Sequence, residues 1–124
     1  MERVKALRLV LLGEIHPAVV TTVDFDDLDG LRLDSALVDA AGFIEHEKVE
    51  LYDSSSGTRL SLQLRRGKSG EVALCGAAAV LIKPGSRVTI ASFGWMKPKA
   101  SLKHQPLIVR VDDENKALKK AKAG

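Results

Sequence analysis

The sequence predicts a mostly-β protein in which many short strands close into a barrel, with one or two short helices. Runs that alternate apolar and polar side chains recur along the chain, and clusters of Gly, Pro and Asp separate them. The 124 residues are 45% hydrophobic and 28% charged, which is typical of one globular domain spanning residues 1–124. Closure of so many short strands would remove exposed sheet edges.

The N-terminal quarter predicts two strands and a polar turn. Val4–Leu12 is aliphatic and β-branched enough for a strand, with a helix as the alternative, and Pro17 is expected to interrupt its continuation. Val19–Val23 is a β-branched run that suits a second strand. Asp24–Gly30 contains four aspartates and predicts a tight turn.

One helix and one hairpin are predicted in the middle of the chain. Asp34 is a suitable N-cap for a helix over Ser35–Ala41, and Gly42 is a suitable stop. Lys48–Tyr52 and Thr58–Leu64 alternate with a period of two around a serine-rich turn, as the two strands of a β-hairpin do.

Three further strands are predicted toward the C-terminus. Glu71–Cys75 is a short apolar strand, and Arg87–Phe93 follows the turn at Pro84 and Gly85. Leu107–Val111 is the last strand. Residues 97–124 hold eight Lys and Arg against three Asp and Glu, so we interpret residues 112–124 as a basic, frayed tail.

Composition also limits the class of protein. The single cysteine, Cys75, has no partner for an internal disulfide, and no apolar run is long enough for a membrane helix, so a cytoplasmic protein is expected. The basic tail lacks interleaved aromatics, so we expect no nucleic-acid partner. His46 and His104 have no partners at metal-ligand spacing, and no metal site is predicted.

Five stretches, in order and spacing, resemble the pyruvoyl-dependent aspartate 1-decarboxylase family. They are Gly13–His16 with Ala18–Thr21 and Asp24; Leu37–Ile44 with Glu47–Val49; Ser56–Arg59; Cys75–Ala79 with Gly85–Phe93; and Val111–Lys116. The resemblance covers nearly the whole chain. It implies a double-psi β-barrel, a homotetramer, and active sites between neighbouring subunits.

The family makes β-alanine, for pantothenate, from L-aspartate. Its members cleave their own chain at a Gly-Ser bond, and the serine becomes a pyruvoyl group that acts as the electron sink for decarboxylation. In register, this bond falls on Asp29-Gly30, a degenerate processing site without a hydroxyl nucleophile. The resemblance therefore implies a chain that does not cleave itself, and no pyruvoyl cofactor is expected.

The resemblance also assigns candidate site residues. Arg59 matches the arginine that holds the substrate carboxylate, a role that suits a guanidinium fork, although a surface arginine is the alternative. His16 and Glu14 are candidates for proton transfer, or else a structural histidine and a surface ion pair. Asp29 is a third candidate catalytic residue, with an ordinary turn aspartate as the alternative.

Other positions of the expected pocket have diverged. Glu14 replaces a lysine, Gln63 a tyrosine and Cys75 an asparagine, whereas the backbone after Cys75 keeps the family pattern. The predicted pocket lining is Cys75, Gly76, Ala77, Ala78 and Gln63. A buried Cys75 thiol would be inert and structural rather than nucleophilic.

Three functions follow from these residues. The first is a repurposed acid/base enzyme acting on a small carboxylate-bearing molecule held by Arg59. The second is a catalytically silent barrel that binds a ligand or a partner. The third is a genuine aspartate 1-decarboxylase. The changed site residues favour the first two, because a fold alone does not fix a function.

Overall fold

The structure is a computed structural model that describes residues 6–118 and the backbone of residues 122–123. The strands are β1 (Arg8–Val19), β2 (Thr22–Asp24), β3 (Gly30–Asp34), β4 (Lys48–Asp53), β5 (Arg59–Gly67), β6 (Val72–Cys75), β7 (Arg87–Met96), β8 (Leu107–Arg110) and β9 (Lys122–Ala123). The helices are α1 (Ser35–Ala40), α2 (Ala78–Leu81) and α3 (Pro98–Ser101).

All nine strands belong to one sheet of mixed direction, in the order β2-β6-β3-β5-β4-β7-β1-β8-β9. Three pairs of neighbouring strands are parallel (β1 with β8, β2 with β6, β3 with β5), and the other five are antiparallel. This confirms the predicted mostly-β fold and agrees with the double-psi β-barrel class. The core is almost entirely aliphatic, and Ile15, Leu51 and Ile90 on adjacent strands are fully buried within it.

Strand β1 corrects one sequence prediction, because it runs through Pro17 rather than stopping there. Ile15 pairs with Ile90 and Ala18 with Val88, so two β1 residues face the single β7 residue Thr89. Such a bulge bends a strand and changes the direction of its side chains. The predicted strand over residues 19–23 is divided between the end of β1 and β2.

One of the three described helices, α1, was predicted by position, and the other two were not. Helix α1 begins where expected, and the Asp34 side chain caps it by accepting a hydrogen bond from Ala36 N at 2.8 Å. The described residues contain three short helices, one more than the maximum predicted. None of the described helices is long and apolar enough to cross a membrane.

The start of the predicted tail is attached to the rest of the fold. Asn115 is 1% exposed; its side chain accepts from Val19 N at 2.7 Å and donates to Val19 O at 2.9 Å. It also donates to Gly70 O at 3.0 Å. Asn115 therefore anchors the start of this segment to the fold, whereas the side chains of residues 119–124 lie outside the described residues.

Candidate functional site

The candidate residues form two separate groups. The first, which we call the loop cluster, surrounds the turn between β2 and β3 and consists of Asp24, Asp27, Asp29, Gly30, Arg32, Arg65, Glu71 and Cys75. The second, the sheet row, crosses β1, β7, β4 and β5 and consists of His16, Thr89, Tyr52 and Arg59.

Within the loop cluster, Asp29 and Gly30 lie against the predicted pocket lining. The Asp29 carboxylate accepts a hydrogen bond from Ala77 N at 2.8 Å, directly before α2. Gly76 has a φ of +69°, and a side chain there would collide with that carboxylate. Gly30 pairs with Cys75 across β3 and β6. The structure thus brings together Asp29, Gly30 and residues 75–77.

The backbone at Gly30 is suited to glycine alone. Its φ is +143°, a conformation that residues with a side chain rarely adopt. A Cβ atom added there would lie 2.6 Å from the backbone oxygen of Gln63, which belongs to the neighbouring strand and has little freedom to move. The site therefore lacks both the hydroxyl of a serine and the space for its side chain.

Arg32 is the hub of the loop cluster. Its guanidinium lies 2.6 Å from Asp27 and 3.4 Å from Asp24, and its other terminal nitrogen lies 3.3 Å from Glu71. It also donates to the Cys75 sulfur at 3.3 Å. One cation thus joins the loop, β3 and β6.

Asp27 links the loop to β5. The backbone N–H of Leu28 and the side chains of Arg65 and Arg32 donate to its carboxylate and lower its pKa to about 2. Arg65 also donates to Leu28 O at 2.9 Å. The turn that carries Asp29 and Gly30 is therefore held at several points by charge-assisted hydrogen bonds.

Cys75 is fully buried at the inner side of this cluster. Burial raises the pKa of its thiol, and the nearby Arg32 and Arg65 guanidinium groups oppose that effect only in part. A buried thiol with a raised pKa is a poor nucleophile. The geometry therefore supports a packing role for Cys75. Ala78 is also buried, whereas Gln63 is exposed.

The sheet row begins at the β1 bulge. His16 Nδ1 lies 3.2 Å from the Thr89 hydroxyl, and both residues are half-buried. A histidine anchored through one ring nitrogen keeps the other, Nε2, for proton exchange with a ligand. The bulge is thus the local feature that places a candidate acid/base group on the outer face of the sheet.

Tyr52 lies between the His16–Thr89 pair and Arg59. It pairs with Thr89 on one side and with Arg59 on the other, so the side chains share one face. The Arg59 guanidinium carbon lies 4.1 Å from the centre of the Tyr52 ring, a cation–π contact. Arg59 is an exposed residue, and among the described residues it forms no ion pair.

The two groups are not joined within one chain. Gln63 is the β5 residue whose backbone oxygen lies against Gly30 of the loop cluster. Arg59 lies four residues before Gln63, which corresponds to about 13 Å along the strand. Among the described residues, no hydrogen bond or ion pair joins Asp29 to Arg59 or His16. Glu14 is half-buried on the outer side of β1, and among the described residues it forms no ion pair with His16.

Sequence reasoning missed several residues of both groups. Arg32 stands between the core residues Leu31 and Leu33, and a charge so placed needs carboxylate partners. The four aspartates just before it were the available signal. Tyr52 was visible as the only tyrosine of the chain, on an alternating strand, but its stacking on Arg59 depends on strand register.

The geometry defines a small, mostly-β protein with an outward-facing row that contains His16 and Arg59, and with a glycine, Gly30, at the end of the loop between β2 and β3. The sequence profile of the aspartate decarboxylase family matches residues 6–118. Relatives named aspartate 1-decarboxylase are 37% identical over 108 residues in Clostridium botulinum (86% of this chain, 87% of the relative) and 40% identical over 112 residues in Corynebacterium efficiens (89% and 82%). The relative of that name from Bacillus subtilis is 32% identical over 111 residues (88% and 87%).

The chain therefore belongs to the aspartate decarboxylase family. The pyruvoyl group that this membership implies derives from a serine, and the residues at the corresponding position do not fit it. Gly30 has no hydroxyl, and its backbone leaves no room for a side chain.

Proposed function

We propose that this chain is a family member that stays uncut and binds a small carboxylate-bearing molecule through Arg59, with His16 as its acid/base group. The observation that carries the proposal is Gly30, where neither a serine hydroxyl nor its side chain has a place. Without a pyruvoyl group, the chemistry must come from ordinary side chains.

The sheet row supports such a role. Arg59 offers a bidentate donor for a carboxylate, and its stacking on Tyr52 reduces the number of orientations that binding must fix. His16, held by Thr89, is the proton donor or acceptor of the row. The cytoplasm remains the expected location. We propose a homotetramer in which a neighbouring subunit places its loop cluster beside this row, because one chain does not join the two groups.

A silent binding barrel is the alternative that Asp29 favours. One oxygen of its carboxylate accepts from Ala77 N, so Asp29 has a structural role in this arrangement. Arg59 would then bind a carboxylate without any reaction. Genuine aspartate decarboxylation is the alternative that the names of the relatives favour.

Two measurements test the proposal. Succinate titrated into the purified protein should shift the NMR signals of His16 and Arg59, and Arg59→Met should weaken this binding about tenfold through loss of the charged fork. Arg87→Met, which removes an exposed arginine elsewhere, is the matched control. Incubation with L-aspartate should yield no β-alanine, and formation of β-alanine would establish decarboxylation. If Arg59→Met binds succinate as tightly as the unmodified protein does, Arg59 is not part of the binding site.

A further inference from the structure

A concave region, which we call the aromatic cavity, lies on the outer face of β4 and β7. It has a volume of about 620 Å³, is open to solvent, and is lined by Leu9, Lys48, Glu50, Tyr52, Phe93 and Trp95. This volume lies within the range of small-molecule binding sites. Only Tyr52 is shared with the sheet row, and the other five lining residues lie outside that row.

Rigid strands build this cavity. Lys48, Glu50 and Tyr52 alternate along β4 with the buried Val49 and Leu51, so the three share the outer face. Phe93 and Trp95 alternate in the same way on β7, and Trp95 pairs with Leu9 of β1. Positions on paired strands hold side chains more firmly than positions on loops do.

The apolar wall is unusually exposed. Trp95 is 66% exposed and Leu9 is 55% exposed. Large aromatic side chains in contiguous exposed patches are typical of binding sites. The wall therefore provides a stacking surface for an aromatic or aliphatic group.

Two opposite charges stand beside that wall. Lys48 and Glu50 are two residues apart on one strand, about 7 Å between their Cα atoms. Glu50 is half-buried, and the Ser61 hydroxyl donates to its Oε2. A carboxylate and an ammonium on one ligand would match Lys48 and Glu50, while an apolar side chain would cover Trp95.

We propose that the aromatic cavity binds a free α-amino acid with an aromatic side chain. Lys48 receives the ligand carboxylate, Glu50 receives its ammonium group, and Trp95 and Phe93 stack on its ring. The inference rests on Lys48, Glu50 and Trp95 and not on Arg59, so its test can fail separately from that of the proposed function.

Trp95 is the only tryptophan of the chain, so its fluorescence reports on this cavity. With excitation at a wavelength that only tryptophan absorbs, L-phenylalanine should produce a saturable change. 3-Phenylpropanoate, which lacks the ammonium group, and phenethylamine, which lacks the carboxylate, should each bind about tenfold more weakly. Equal binding of all three compounds would overturn the assignment of the two charges.

Variants separate this inference from the proposed function. Glu50→Gln should weaken L-phenylalanine about tenfold and leave 3-phenylpropanoate nearly unaffected, because only the ammonium contact is lost. Lys83→Met, at an exposed lysine outside the cavity, is the control. Succinate binding that depends on Arg59 reports on the proposed function instead. Fluorescence that changes with protein concentration but not with L-phenylalanine would assign the cavity to contact between copies of the chain and overturn the inference.

Discussion

The loop cluster and the outer face of the sheet differ in how their polar groups are satisfied. In the loop cluster, Asp27, Asp29 and Arg32 are each held by at least one neighbour from another part of the fold. On the outer face, Arg59 and Trp95 remain exposed. The turn that carries Asp29 and Gly30 is thus fixed by contacts to other parts of the fold, whereas the outer face of the sheet exposes its polar and aromatic side chains.

Gly30→Ser should have the largest effect on stability. The new side chain would meet the Gln63 backbone oxygen at a positive φ, so we expect a loss of about 3 kcal/mol or more in the free energy of unfolding. Urea denaturation measures it. Gly57→Ser is the matched control, because Gly57 has a φ of +78° but no atom within 4 Å of an added Cβ. That variant should lose only about 1 kcal/mol, and equal losses would contradict the steric account.

Adding the family's Gly-Ser pair should not restore activity. The double variant Asp29→Gly, Gly30→Ser loses the Ala77 contact and retains the cross-links from Arg32 and Arg65. We expect no β-alanine from L-aspartate, because Gln63 and Cys75 also differ from the family pattern. Robust β-alanine formation by the double variant would show that the pair alone was missing.

Removal of Arg32 should have the next largest effect on stability. Arg32→Met leaves Asp27 and Glu71 without their shared cation, so the melting temperature should fall by about 5–10 °C. Arg87→Met removes a pair whose side chains are 52% and 76% exposed, and it should change the melting temperature by less than about 2 °C. Similar shifts for the two variants would show that the loop cluster is no more than a surface network.

Acid should reduce the stability that Asp27 contributes to the loop cluster as the pH falls from about 4 to about 2. Because the pKa of Asp27 is lowered to about 2 in the folded chain, its stabilising contribution is complete above its ordinary pKa near 4 and is lost as the pH falls toward 2. Asp27→Asn should therefore lower stability at pH 7 and flatten its decline between pH 4 and 2, as urea midpoints would show. Asp26→Asn, on the same turn, controls for the lost charge; an identical profile for both variants would contradict the assignment.

Tyr52→Leu should have the smallest effect on stability. The exposed cation–π contact with Arg59 is worth about 0.5 kcal/mol, so the urea midpoint should move little. Succinate binding should weaken several-fold nonetheless, because Arg59 loses its fixed orientation. Tyr52→Phe, which retains the ring, should restore the binding, and failure of this rescue would exclude stacking as the cause.

The sequence allowed prediction of those parts of the fold that local patterns encode. Alternation identified β4 and β5, the turn at Pro84 and Gly85 preceded the predicted β7, and Asp34 marked the start of α1. Strand β3 was missed because its three alternating residues follow four aspartates, which dominate a local interpretation. The continuation of β1 through Pro17 was missed because a bulge depends on the partner strand, Thr89 in particular.

The candidate site divides in a similar way. Arg59, His16 and the Asp29-Gly30 replacement were visible through residue identity and family register. The residues around them could not be predicted, because the contacts of Arg32 join residues up to 43 positions apart in sequence. The collision at Gly30 also depends on a backbone oxygen of another strand, which no local pattern reveals.

The central claim is that this chain remains uncut, and the mass of the purified protein under denaturing conditions tests it most directly. The account predicts one intact species at 13.4 kDa. Two fragments that separate between Asp29 and Gly30, the larger bearing a ketone that an amine reagent traps, would contradict it and make aspartate decarboxylation the leading function.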